Sequence, residues 1–129
     1  MLGRQGSKLR RALLWGDVRG RGLGMWAYAL NRITGIGLVV YLYLHLIVLS
    51  LLAQGASGWD AFIALAKTPL FLALDVILLV GLLIHGLNGL RITLNALNIG
   101  VAAQKQLFVV VIGLVILLGL TGAVRIFTQ

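Results

Sequence analysis

The stretch Leu70 to Leu90, LFLALDVILLVGLLIHGLNGL, decides the fold, because it is almost entirely apolar and Asp75 and His85 are its only ionisable residues. An α-helix needs about 20 predominantly apolar residues to cross roughly 30 Å of hydrocarbon. Ile33 to Leu52 and Leu107 to Phe127 have the same length and character. Lipid offers the backbone no partners, so each stretch must satisfy its own peptide groups as a helix. The sequence therefore predicts an all-α membrane protein with three transmembrane helices at about 33–52, 70–90 and 107–127, forming one domain over 1–129.

Composition agrees. The chain has 129 residues, 60% of them hydrophobic and 11% charged. A soluble domain of this size buries only about two-thirds of its unfolded surface and would leave much of that apolar content in water. There is no cysteine, which excludes disulfides, iron–sulfur ligation and thiolate chemistry within the chain. A redox centre would have to use histidine or an organic cofactor. The basic N-terminus precedes an apolar run that starts late, near Ile33, and has no A-x-A-like closing site. The first span is thus expected to be retained.

The net charge of +8 acquires meaning from where it sits. Arg4, Lys8, Arg10, Arg11, Arg19, Arg21 and Arg32 precede the first span, and Arg91 and Lys105 flank the second connection. Lys67 and Arg125 alone fall on the other side. The positive-inside rule then predicts a cytoplasmic N-terminus and an outside C-terminus, with no role in nucleic-acid binding. Residues 1–32 read as a basic cytoplasmic arm. Its Leu9, Leu13, Leu14, Trp15 and Trp26 suit either a segment resting on anionic headgroups or a docking arm for a soluble partner. Gly55, Ser57, Gly58 and Pro69 mark the connection Ala53–Pro69 as turns and a helix start. Ile92–Gln106 reads as a loop or a short helical extension.

Ionisable groups within apolar spans are functional candidates by default. His85 has Gly81 four residues before it and Gly89 four after, all on one helix face. Two absent side chains beside an imidazole leave a flat slot for a planar ligand, and a porphyrin held axially by His85 suits it. Asn88 and Arg91 follow within two turns, where a cation meets haem propionates. The alternative is that His85 bonds a neighbouring helix and the glycines serve packing.

His45 shares its face with Tyr41 and Gly37. It lies about 20 Å in from Arg32, whereas His85 lies about 9 Å in from Arg91. Axial nitrogens of one haem are only roughly 4 Å apart. The two histidines therefore do not share an iron. If both bind haem, a partner helix supplies each missing ligand. A structural or quinone-contacting role for His45 stays open. Asp75, near the depth of His45, either supports that imidazole, is a protonated acid, or sits near the far headgroups. The third span has no ionisable residue before Arg125, and its Gly113, Gly119 and Gly122 suit close helix contact.

The runs Asn31-Arg32-Ile33-Thr34-Gly35 and His85-Gly86-Leu87-Asn88-Gly89-Leu90-Arg91 resemble the cytochrome b membrane anchor of succinate dehydrogenase. That family carries H-R-x-[ST]-G before its first helix and H-x-x-x-G-x-R in its second. The resemblance covers residues 26 to 127. It implies that His85 is the axial ligand of haem b and that Arg32 lies near a ubiquinone or menaquinone pocket. Tyr28 falls where the family has a quinone-contacting serine, and Trp26 lies close by. Asn31 replaces the family's histidine before the arginine, and Ile92 replaces a histidine after the second-helix arginine. His45 resembles the extra ligand of two-haem variants, so one or two haems shared with a partner subunit are implied.

The resemblance further implies an electron-transfer subunit in the plasma membrane of a prokaryote. Its partners would be a second membrane anchor, an iron–sulfur subunit and a flavoprotein, with quinone as substrate and membrane lipid as solvent. The chain has no flavin or cluster motif of its own, so catalysis of dehydrogenation falls to those partners. Two other classes are a small transporter or channel using His45, Asp75 and His85 as a proton path, and a haem-free structural anchor.

Overall fold

The computed structural model describes residue 20 and residues 22–128. They form α1 (Leu23–Ser50), a 3-10 turn (Leu51–Gln54), α2 (Ala56–Ala66), α3 (Pro69–Ala96), a second 3-10 turn (Val101–Ala103) and α4 (Gln104–Thr128). Three helical segments, Leu23–Gln54, Pro69–Ala96 and Val101–Thr128, are long and apolar enough to cross a membrane.

α1 starts ten residues before the expected boundary at Ile33. The segment Leu23–Arg32 has Leu, Met, Ala and Arg at six of its ten positions and no proline, and polarity alone is no reason for it to stay extended. Trp26, Tyr28 and Arg32 consequently ride on a helix that projects about 15 Å beyond Ile33. The connection between the first two spans is also more ordered than its turn residues suggest. Gly55 takes φ +76°, a conformation open to glycine without penalty, and eleven residues of helix α2 follow directly. Pro69 then occupies the first turn of α3, where its missing N–H costs no bond.

α3 ends in a Schellman motif built on Asn98, at φ +62°. Ile99 N–H donates to Leu94 O at 2.9 Å, and Asn98 N–H to Asn95 O at 3.0 Å. Asparagine here does what glycine more often does. The second connection is thus a helical extension to Ala96 followed by a short turn through Gly100, at φ +73°.

α3 is the central helix, packed against α1 on one side and α4 on the other, while α1 and α4 barely meet. Phe108, Val111, Val115 and Gly119 form the buried stripe of α4. Gly119 faces Val80, and a Cβ at Gly122 would collide with Leu79, as small-residue helix contacts require. Gly113 has open space around it. Most other large apolar side chains, including Ile33, Ile36, Val39 and Ile47 on α1, are exposed. Lipid or a neighbouring subunit must cover them.

Candidate functional site

His85 is half-buried on α3 and faces the early turns of α1. Its Nδ1 lies 3.0 Å from the backbone oxygen of Asn31. A carbonyl only accepts, so Nδ1 must carry the proton and donate. That fixes the neutral ring as the tautomer with its lone pair on Nε2. Nε2 has no hydrogen-bond partner among the described residues.

The approach is possible because of Gly35. A Cβ built there would stand 2.9 Å from His85 Cε1 and 3.2 Å from Nδ1. Those separations are too short for any side chain to coexist with the imidazole in this position. Gly35 therefore acts as the seat of the ring.

A groove of about 450 Å³ opens beside the ring, lined by Asn31, Arg32, Gly35, Ile36, Val39, Val40 and His85. Its volume lies in the range of small-molecule sites. Its wall is mostly aliphatic with a guanidinium at one end. The backbone oxygen of Asn31 is engaged by His85, but its side-chain Oδ1 is buried without a partner, a costly state unless something outside this chain satisfies it.

Arg32 NH1 donates to the Tyr28 hydroxyl at 2.5 Å, and its Cζ lies 5.5 Å from the Tyr28 ring centroid. The phenol oxygen accepts in this bond, which leaves the phenol hydrogen to donate elsewhere. The structure thus brings Arg32 and His85 to one groove, with Tyr28 joined to it through its bond to Arg32. Trp26 is 47% exposed on the first turns of α1 and does not line it.

The neighbouring polar residues of α3 do something different. Asn88 is fully buried and donates from Nδ2 to Ala27 O at 2.7 Å. Its Oδ1 accepts Arg91 Nε–H at 3.0 Å. Buried Arg91 reaches on to Gln104 O at 3.3 Å and lies 5.4 Å from the Phe108 centroid. These bonds tie α1, α3 and α4 together, and Arg91 faces α4 rather than the groove. Gly89 faces Asn31 Oδ1 at 3.8 Å and Gly81 faces open space. Apart from His85, the residues lining the groove come from α1.

His45 is exposed ten residues beyond Gly35, about 15 Å further along α1. Its ring stacks on Tyr41 with centroids 5.5 Å apart, and the Tyr41 hydroxyl is 3.3 Å from Nδ1. Asp75 is exposed on α3 and makes no hydrogen bond to His45 in the structure. His45, Asp75 and His85 form no connected chain. Among the described residues no three His, Cys, Asp or Glu side chains converge as a metal site, and His45 and His85 stand on different helices at different levels.

Sequence reasoning missed Gly35 and the Asn31 carbonyl as the partners of His85. The first had a faint signal, since Gly35 lies four residues after Asn31 and shares its helix face. The second is a backbone atom and has no side-chain signature.

Comparison with known proteins gives the same direction. The chain is 37% identical over 86 residues to the succinate dehydrogenase hydrophobic membrane anchor subunit of Halobacterium salinarum, covering 66% of each chain. It is 30% identical over 90 residues to the succinate dehydrogenase 2 membrane subunit SdhC of Mycobacterium tuberculosis, covering 70% of this chain and 62% of that one. The matches span just under two-thirds of the length of these relatives. Residues 7–121 match the family described as succinate dehydrogenase/fumarate reductase transmembrane subunit. With that match across most of the chain and three apolar helices in place, the chain belongs to the succinate dehydrogenase/fumarate reductase transmembrane subunit family.

Proposed function

We propose that this chain is the haem b-binding membrane anchor of a succinate:quinone oxidoreductase and contributes one wall of its quinone site. The proposed setting is a prokaryotic plasma membrane with the basic N-terminus in the cytoplasm, as the distribution of Lys and Arg favours. A flavoprotein and an iron–sulfur subunit would dock on that face, and a second membrane anchor would cover the exposed apolar surface beside α1.

One observation carries the haem reading: the His85–Asn31 hydrogen bond. Metal-bound imidazoles characteristically donate their second N–H to a carbonyl or carboxylate, which orients the ring and raises its basicity. His85 meets that requirement within this chain, which leaves the Nε2 lone pair for a ligand bond, and the residue lines the groove. The residues present therefore fit a porphyrin iron. Bound there, the group would store single electrons beside the quinone, at a potential set by ligands, burial and nearby charge. The chain supplies one imidazole at this level, since His45 is about 15 Å further along α1. The second axial ligand would come from the partner anchor.

Around the quinone, Arg32 and Tyr28 have separable tasks. The guanidinium at the groove favours negative charge developing on a quinone oxygen. The Tyr28 hydroxyl, polarised by accepting from Arg32, donates its own hydrogen toward that oxygen. Reduction of the quinone consumes two electrons, delivered through the partner subunits, and two protons.

The test is a reduced-minus-oxidised absorption spectrum of the purified complex, with pyridine haemochrome quantitation. The expected result is a b-type signal that His85→Ala abolishes while the chain still inserts in the membrane. A full haem complement in that variant overturns the assignment.

A further inference from the structure

Resting on the haem reading above, we infer that Gly35 is a positioning residue for the iron. By letting the imidazole reach the Asn31 carbonyl, it fixes both the tautomer and the electron-donating strength of His85.

Three observations converge. The imidazole packs onto the α1 backbone where Gly35 lacks a side chain, with 2.9 Å from the would-be Cβ to Cε1. Nδ1 is 3.0 Å from Asn31 O, one helical turn before Gly35. A helical carbonyl is normally committed to the N–H four residues on, which for Asn31 belongs to Gly35. The Thr34 hydroxyl also lies 3.2 Å from the same oxygen. His85 thus adds a bond to a carbonyl that already has neighbours. It can do so only if the ring comes in close over Gly35.

The chemical consequence concerns Nε2. Donation from Nδ1 makes the imidazole partly imidazolate in character and a stronger donor to iron, which favours the oxidised metal. A methyl at position 35 removes the space for the ring. The imidazole must then retreat along its side-chain torsions, and the Nδ1–H bond to Asn31 lengthens or is lost. The ligand survives, but as a weaker donor. The reduced iron gains relative to the oxidised one.

Gly37 provides the matched control. It lies on the same helix two residues later, and a Cβ there meets nothing within 4 Å. A general effect of adding a methyl to α1 would appear in both variants. An effect transmitted through His85 would appear in Gly35→Ala alone.

The test is a potentiometric titration of the haem in the intact complex carrying Gly35→Ala or Gly37→Ala, followed by the absorption of the His85-dependent band. The expected result for Gly35→Ala is a retained band with the reduced form favoured by about 10-fold, a rise of about 59 mV for one electron. Gly37→Ala should titrate like the parent. An unchanged potential in Gly35→Ala overturns the inference and leaves the haem assignment standing. No haem in the parent complex overturns both. Should Gly35→Ala fail to assemble, the parent itself decides through electron–nuclear double resonance with nitrogen-15 histidine. A proton on Nδ1 with coordination through Nε2 supports the inference, and coordination through Nδ1 overturns it.

Discussion

Asn88 and Arg91, three residues apart on α3, share a hydrogen bond from Arg91 Nε to Asn88 Oδ1 at 3.0 Å, and each reaches a different helix. Asn88 holds the Ala27 carbonyl of α1 and Arg91 the Gln104 carbonyl at the head of α4. Asn88→Ala removes both of its bonds and leaves a buried guanidinium short of a partner. The expected loss is about 1–3 kcal/mol, read as a lower unfolding temperature of the purified complex in detergent.

The α3–α4 contact makes an independent stability prediction. A Cβ at Gly122 runs into Leu79, whereas one at Gly113 meets nothing within 4 Å. Gly122→Ala should cost about 1–3 kcal/mol through overpacking, and Gly113→Ala should be close to neutral. The same thermal assay, run on both variants, separates them.

Quinone reduction should depend on the Tyr28–Arg32 pair. Arg32→Ala is expected to lower kcat/KM for a soluble quinone by about 100-fold, the magnitude of losing one positioned charge stabiliser. Tyr28→Phe should lower it less, because the guanidinium remains. Both variants should keep the haem absorption band. The measurement is succinate-dependent quinone reduction by the whole complex, and parental rates in both would remove these residues from the site.

His45 should be separable from His85. About 15 Å of α1 lies between the level of His85 and His45, and the His45 ring is occupied with Tyr41. His45→Ala should therefore leave the His85-dependent band intact in a reduced-minus-oxidised spectrum. Loss of that band would mean that the two imidazoles serve one iron after all.

The orientation prediction exploits the absence of cysteine. Ser57→Cys on α2 and Ala102→Cys in the second connection place single thiols at opposite ends of the helices. In intact cells an impermeant maleimide should label position 57 and spare position 102 until the membrane is broken. The reverse pattern would invert the proposed topology.

The spans were legible because lipid imposes one solution on any long apolar run, and Leu70 to Leu90 admits no other. Their ends were less legible, for local reasons. Leu23–Arg32 carries no breaker strong enough to stop a helix, yet it continues a basic stretch that reads as an arm. Asn98 ends α3 in a left-handed conformation that many asparagines never adopt. Ala53–Pro69 has the residues of a turn at both ends and enough apolar content between them for α2. In the site, His85 and Arg32 stood out as ionisable groups near membrane spans. What they touch did not stand out. The seat of His85 is an absent side chain and a peptide oxygen on another helix, and only the packing of α1 against α3 brings them within reach. Arg91 was visible as a charge, but its inward course toward Gln104 depends on where α4 begins.

The Asn31 carbonyl has one more consequence. That oxygen belongs to the amide plane whose nitrogen is Arg32's own, and such a plane is rigid. The imidazole on α3 thus bonds to one edge of a stiff plate, and the Arg32 side chain starts from the other edge. A shift of α1 against α3 therefore acts on the His85 bond and on the root of the Arg32 side chain together.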